Sequence, residues 1–213
     1  MLAGERKIAT DGYEVMLFPL EIMWMTQGEH NGYCMDFQGA KYNANHQVVR
    51  EYRCPLYAPC SCTCVARSSS GDWQIFTSDN LVHVPGIPLP IRITFQIGHD
   101  DTPQSVGDHF TQGDLIGHTG TNGRVTGDHL HFNVATGTYQ GWSNHQLKNS
   151  IHIYYGCYVD DTVLYDDGDY TWYEYGDTPP VPPTPSGGAI IKNKFPWVLY
   201  ARKLRNKYRY KSI

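Results

Sequence analysis

The residues most able to do chemistry are histidines, of which the 213-residue chain has ten. The sharpest arrangement is Gly127-Asp128-His129-Leu130-His131-Phe132. On a strand, an H-x-H pair points both imidazoles to one face, about 6–7 Å apart. One ring can then bind a metal while the other reaches a water or a substrate. Upstream, in Gly28-Glu29-His30-Asn31-Gly32-Tyr33-Cys34-Met35-Asp36-Phe37, a His and an Asp sit at a loop–strand junction. His30, Asp36 and His131 together would make a His2Asp ligand set. Three protein ligands leave a fourth tetrahedral position for water, the arrangement of a catalytic zinc. Such a zinc lowers the pKa of its water toward about 7 and polarises a carbonyl.

These side chains need elements to hold them, and the composition favours strands. Tyr accounts for 16 residues and Gly plus Pro for 34, while charged residues are 18% and hydrophobic ones 40%. That mixture suits short strands and frequent turns rather than long helices. No window approaches the 18 consecutive apolar residues of a membrane span. Residues 13–25 read as one or two extended segments and 26–32 as a loop. Short strands follow at YCMDFQG, PLYAPCSCTCVA, GDWQIFTS, IRITFQI, GDLIGHTG and DHLHFNVATG, separated by glycine turns. Nothing in 13–140 has a helical period, and strands at this spacing predict an antiparallel all-β domain. One or two edge strands are expected in 151–176. The reading is a domain over 1–176, a Pro/Gly-rich linker over 177–188 and a basic aromatic tail over 189–213.

Charge separates the same parts. Residues 1–188 hold all 21 acidic residues and 9 basic ones, for a net of −12, while 189–213 hold 8 basic residues and no acid. A body of −12 argues against nucleic acid as a general partner. The tail could engage an anionic polymer or a membrane surface, dock on a partner, or remain solvated. The first residues, MLAGERKIATDGYE, contain no apolar h-region, so no secretory signal is expected. The cysteines at 54, 60, 62 and 64 follow C-x5-C-x-C-x-C, with Cys34 and Cys157 elsewhere. Small buried hydrophobes are the favoured reading; a disulfide from Cys54 or a second metal site are the alternatives.

Between the two histidine motifs lie Ile93-Thr94-Phe95-Gln96-Ile97-Gly98-His99, Val106-Gly107-Asp108-His109-Phe110-Thr111-Gln112-Gly113-Asp114-Leu115-Ile116-Gly117, and Gly120-Thr121-Asn122-Gly123. In this order the set resembles the lysostaphin/LytM-type zinc metallopeptidases, which cut peptide bonds in bacterial peptidoglycan. The match runs from Gln27 to about Val134, and GDHLHF and VGDHFTQGDLIG are its most specific parts. The resemblance implies a LytM-type β-sheet groove fold. It makes His30, Asp36 and His131 the ligands of one Zn2+, with His99 and His129 as the two catalytic histidines. One of these would take a proton from water, and one or both would stabilise the oxyanion. Five residues separate His30 from Asp36 where the family usually has three, so the loop must bulge; phage-borne members tolerate longer spacings. Asn133 stands where the family often has Glu.

The implied activity is a zinc endopeptidase acting on peptidoglycan stem or cross-bridge. A phage setting is expected, as a tail-tip protein or an endolysin acting at the host cell wall. The alternative is a non-catalytic wall-binding or structural tail protein on the same fold. His118 is a candidate for the groove lip, while His46, His83, His109, His145 and His152 read as bland. Tyr139, Trp142 and the tyrosines at 154, 155, 170, 173 and 175 could line a groove or pack as core.

Overall fold

A computed structural model of the chain describes residues 1–143, 146–165 and 170–177. All but the first residue of the expected linker, and the whole basic tail, lie outside the described residues.

The chain is all-β, and among the described residues its helix is limited to one turn, Ile153–Gly156. Nine strands make the main sheet. They are β1 (Ile22–His30), β2 (Cys34–Gln38), β3 (Cys62–Arg67), β4 (Trp73–Ser78), β5 (Ile93–Gly98), β6 (His109–Phe110), β7 (Leu130–Thr136), β8 (Ser150–Ile151) and β9 (Val163–Leu164). Their order across the sheet is β6-β3-β4-β5-β7-β2-β1-β9, with β8 paired to β7. Neighbours are antiparallel except β9, which runs parallel to β1. A second parallel pair joins Glu14–Val15 to the Val82–Val84 strand. The expected edge strands after residue 150 are β8 and β9.

Alternation gives this sheet two unlike faces. On one, Ile93, Phe95 and Ile97 of β5 register beside Phe76 of β4 and beside Phe132 and Val134 of β7. All are fully buried. Phe76 stacks on Phe95 at 5.3 Å, and Phe18 meets Phe37 edge-on at 4.9 Å. Each such ring contributes about 1.5–3 kcal/mol by leaving water. On the other face lie Gln96 and Gly98 of β5, Trp73 and Ile75 of β4, His131 and Asn133 of β7, and Asp36 of β2. The apolar face fixes the register, and the register delivers the polar set to a single surface.

Two local expectations change. Residues 26–30 belong to β1 rather than to a loop. They pair Gln27 with Asp36 and His30 with Cys34, with register shifts on the way. Their polar sequence hides this because the strand end is half-exposed and bulged. The strand expected over 55–66 is two. Pro55–Tyr57 pairs with Leu115–His118, then the chain turns before β3 joins the main sheet. All six cysteines are buried thiols outside any disulfide. Burial pushes Cys34 and Cys54 up to about 12 and Cys64 to about 11, which fits small buried hydrophobes.

Candidate metal centre

Asp36 and His131 face each other as direct partners of β2 and β7, which puts their side chains within reach. His131 Nδ1 lies 2.8 Å from Asp36 Oδ1. His30, at the end of β1, brings Nε2 to 3.6 Å from the same oxygen. One ligand atom from each of His30, Asp36 and His131 fits within 4.8 Å of the others, the sole such group of His, Cys, Asp or Glu among the described residues. An imidazole–carboxylate–imidazole set of this span is a donor set zinc accepts. The side chains are nearly covered, at 18%, 13% and 13% exposure.

The five-residue spacing is absorbed by a turn. Asn31 (φ 49°) and Gly32 (φ 98°) carry the chain back, so that His30 ends β1 and Asp36 sits inside β2. Residues far along the chain hold this turn. Glu29 N–H donates to Tyr170 Oη (3.0 Å), and Tyr33 N–H donates to Gln146 Oε1 (3.0 Å). Glu29 Oε1 also meets His152 Nδ1, whose ring is 4.3 Å from that of Tyr33. His152, expected to be bland, therefore braces the residue next to His30.

The other two histidines converge on the same point. His129 Nε2 is 3.7 Å from Asp36 Oδ2, and the His99 ring is 4.7 Å from that of His129 and 5.7 Å from that of His131. His99 follows the last residue of β5 in a left-handed conformation, φ 71°. That geometry costs on the order of 1–3 kcal/mol and persists where its surroundings impose it. Here His99 N–H donates to Asp72 O (2.7 Å) and Asn122 N–H donates back to His99 O (3.0 Å).

Backbone carbonyls set the tautomers. His30 Nδ1 is 2.9 Å from Gly28 O, His129 Nδ1 is 2.8 Å from Gly127 O, and His99 Nδ1 is 2.9 Å from Asn122 O. A carbonyl only accepts, so each Nδ1 carries the proton and each neutral ring turns an Nε2 lone pair elsewhere. For His30 and His129 that lone pair faces Asp36. His131 differs, presenting Nδ1 to the cluster.

Burial pushes the Asp36 carboxyl up, but the His131 hydrogen bond and the pull that His131, His129 and His30 exert when protonated outweigh it and hold it below the usual range. Burial lowers His99; the Asn122 carbonyl opposes this and the neighbouring His129 and His131 add to it, leaving the ring neutral near pH 7.

Two glycines make room. A Cβ on Gly98 would lie 2.9 Å from the His131 Cβ, and one on Gly120 would run into the carbonyl oxygen of His99. Gly120 also bridges to His129 through paired backbone hydrogen bonds of 3.1 and 3.2 Å.

The supporting residues were not singled out from the sequence. Buried Asp128 accepts from Thr119 Oγ1 (2.7 Å) and Arg53 N–H (3.1 Å), anchoring the segment that carries His129. Asp100 accepts from Thr102 and from His118 N–H. The signal for Asp128 was its place inside GDHLHF; Tyr170 was marked only as a groove or core aromatic, and nothing in the sequence marked Gln146. Of the candidate groove aromatics, Trp142 lines the cleft, joined by Trp73. Tyr154, Tyr155, Tyr170, Tyr173 and Tyr175 pack against apolar clusters instead. His109 is exposed beside Asp79, His83 meets Asp11, and His145 is outside the described residues.

Fold and site together define a β-sheet protein with a His–Asp–His cluster of metal-ligand type, flanked by two further imidazoles in an open cleft. The chain is similar to Morphogenesis protein 1 of Bacillus phage B103, 34% identical over 173 residues that cover 76% of this chain and 44% of the relative. The chain thus spans less than half the length of that relative. Solved structures that it resembles include the catalytic domain of lysostaphin from Staphylococcus simulans (22% identity, TM-score 0.38, 65% of this chain and 86% of that one). A zinc-containing peptidase from Vibrio cholerae is another (17% identity, TM-score 0.38, 62% and 43%). No family model matches the chain.

Proposed function

We propose that the chain is a zinc-dependent endopeptidase that hydrolyses peptide bonds of bacterial peptidoglycan, in stem peptides or cross-bridges. One observation carries this reading: His30 Nε2, Asp36 Oδ1 and His131 Nδ1 converge while His99 and His129 crowd the same point. Those five are the positions that the lysostaphin/LytM resemblance makes functional. Zinc, held by His30, Asp36 and His131, would supply a Lewis acid that polarises the scissile carbonyl and acidifies water. His129 and His99, each fixed with Nδ1–H on a carbonyl, can accept a proton only at Nε2. The imidazolium so formed can donate that proton to the oxyanion or to the leaving amine. Burial keeps the proton affinity of His99 low, which favours passing the proton on. Five filled positions in one cleft speak against a non-catalytic wall-binding scaffold.

The similarity to a phage morphogenesis protein supports a phage setting, in the virion tail or released at the host wall. The domain over 1–176, the linker over 177–188 and the tail over 189–213 complete the proposal. The tail's partner would be anionic wall polymer or another tail protein.

The test is the zinc content of the purified protein beside His131→Ala, followed by mass spectrometry of digested peptidoglycan. About one zinc per chain, lost in the variant, with new amino termini in the digest, is the expected result. No zinc after controlled reconstitution would overturn the reading.

A further inference from the structure

The cleft of about 800 Å³ extends beyond the histidines to Trp73, Gln96, Arg124 and Trp142. We infer that these four side chains form a substrate subsite for a residue bearing a free carboxylate beside the scissile bond, with Arg124 pairing the carboxylate and Gln96 accepting a backbone N–H. The inference rests on the peptidase reading and narrows its substrate to carboxylate-bearing peptides, as against neutral oligoglycine bridges.

Arg124 is the single Lys or Arg among the cleft-lining residues. Every other described arginine is engaged inside the fold. Arg6 and Arg53 pair with Glu14 and Asp101, while Arg50, Arg67 and Arg92 donate to backbone carbonyls. Arg124 has no such partner, although two carboxylates line the same cleft. Asp36 is engaged by the imidazoles, and Asp72 Oδ1 takes hydroxyl donors from Ser68 and Ser70. In a body of net −12 over residues 1–188, a carboxylate on the ligand meets repulsion except where a cation stands free. A guanidinium presents the planar fork that carboxylates fit.

Gln96 is an independent sign of a ligand. It is 4% exposed, in the middle of β5, yet its Oε1 has no hydrogen-bond partner. A buried acceptor left unmade is costly, and its residue lines the cleft two residues from Gly98, the register partner of His131. A turn of the Gln96 amide toward the cleft would let this oxygen accept a peptide N–H of the ligand. Trp73 and Trp142, edge-to-face at 5.1 Å, add an apolar wall for the methylenes of a long acidic side chain.

The experiment uses three synthetic peptides of one stem sequence with the zinc-loaded full chain. One has a free side-chain carboxylate at the residue flanking the cut, one has that carboxylate amidated, and one has only its C-terminus amidated. Side-chain amidation is expected to lower kcat/KM roughly tenfold or more, mainly through KM. Arg124→Gln should bring the acid and amide peptides within about twofold of each other, and Arg124→Lys should restore part of the preference. A loss on C-terminal amidation instead would assign Arg124 to the terminal carboxylate. Equal rates on all three, or a preference that survives Arg124→Gln, would overturn the subsite. Calorimetric binding of the acid and amide peptides to the zinc-free protein separates the two ideas. Selective binding that depends on Arg124, without hydrolysis, would keep the subsite and sink the peptidase reading.

Discussion

Replacing Gly120 by Ala tests whether the crowding of His99 and His129 is functional. The new Cβ would collide with the His99 carbonyl oxygen and lie 2.9 Å from Asp101 N, both rigid backbone atoms. Ordinary contacts begin near 3.5 Å, so a shift on the order of 1 Å is required. The strand bridge to His129 and the left-handed turn at His99 share that shift, because Gly120 bonds one and abuts the other. Misplacing reactive groups by 1 Å costs roughly a hundredfold in rate, about 2.7 kcal/mol. Overpacking takes about 1–3 kcal/mol of stability, or roughly 2–12 °C in Tm. Zinc should stay, since the proposed ligands are His30, Asp36 and His131. The assay is kcat/KM on peptidoglycan fragments with metal content on the same sample. Gly127→Ala serves as control, because its Cβ would meet only the Arg50 side chain at 3.4 Å. Full activity in Gly120→Ala, or a loss of zinc equal to the loss of rate, would refute the reasoning.

The buried thiols predict a steep alkaline limit. Burial holds all six above the ordinary 9.0, so their contribution is complete well below pH 9, begins to fall about one unit below it and is lost as pH climbs through 9 toward 11–12. Six thiols ionising only in the unfolded chain cost about 2.5 kcal/mol at pH 9 and about 8 kcal/mol at pH 10. Tm should therefore fall by roughly 5–10 °C between pH 7 and 9; a flat profile would contradict the buried-thiol picture. The brace on the His30 turn makes a third prediction. Tyr170→Phe removes the acceptor of Glu29 N–H and should weaken zinc binding roughly tenfold in a chelator competition, and Gln146→Ala should act in the same direction. Unchanged affinity in both would leave the brace without a role.

What the sequence revealed follows from how strongly each part is patterned. Ile93, Phe95 and Ile97 alternate because one sheet face packs on the apolar core while the other carries polar side chains, so β5 and the position of His99 could be read directly. H-x-H carried its own geometry once a strand was assumed. The end of β1 could not be read, because Thr26 to His30 are polar and bulged, and pairing there depends on a partner strand rather than on alternation. Residues 146–170 were opaque for another reason. Tyr170, Gln146 and His152 act through single hydrogen bonds to a turn more than a hundred residues away, and such pairings leave no local period. The parallel docking of β9 on β1 is equally non-local, fixed by packing rather than by any turn signal.

That long reach alters where the working unit ends. Every motif that suggests catalysis is complete by Phe132, which invites a cut soon after β7. Such a fragment would keep all five histidine and aspartate positions and lose Gln146, His152 and Tyr170, the side chains that hold the His30 turn shut. Transplanting this centre into another protein would therefore mean moving the chain through at least residue 170, with a stretch that carries no chemistry travelling as an obligatory passenger.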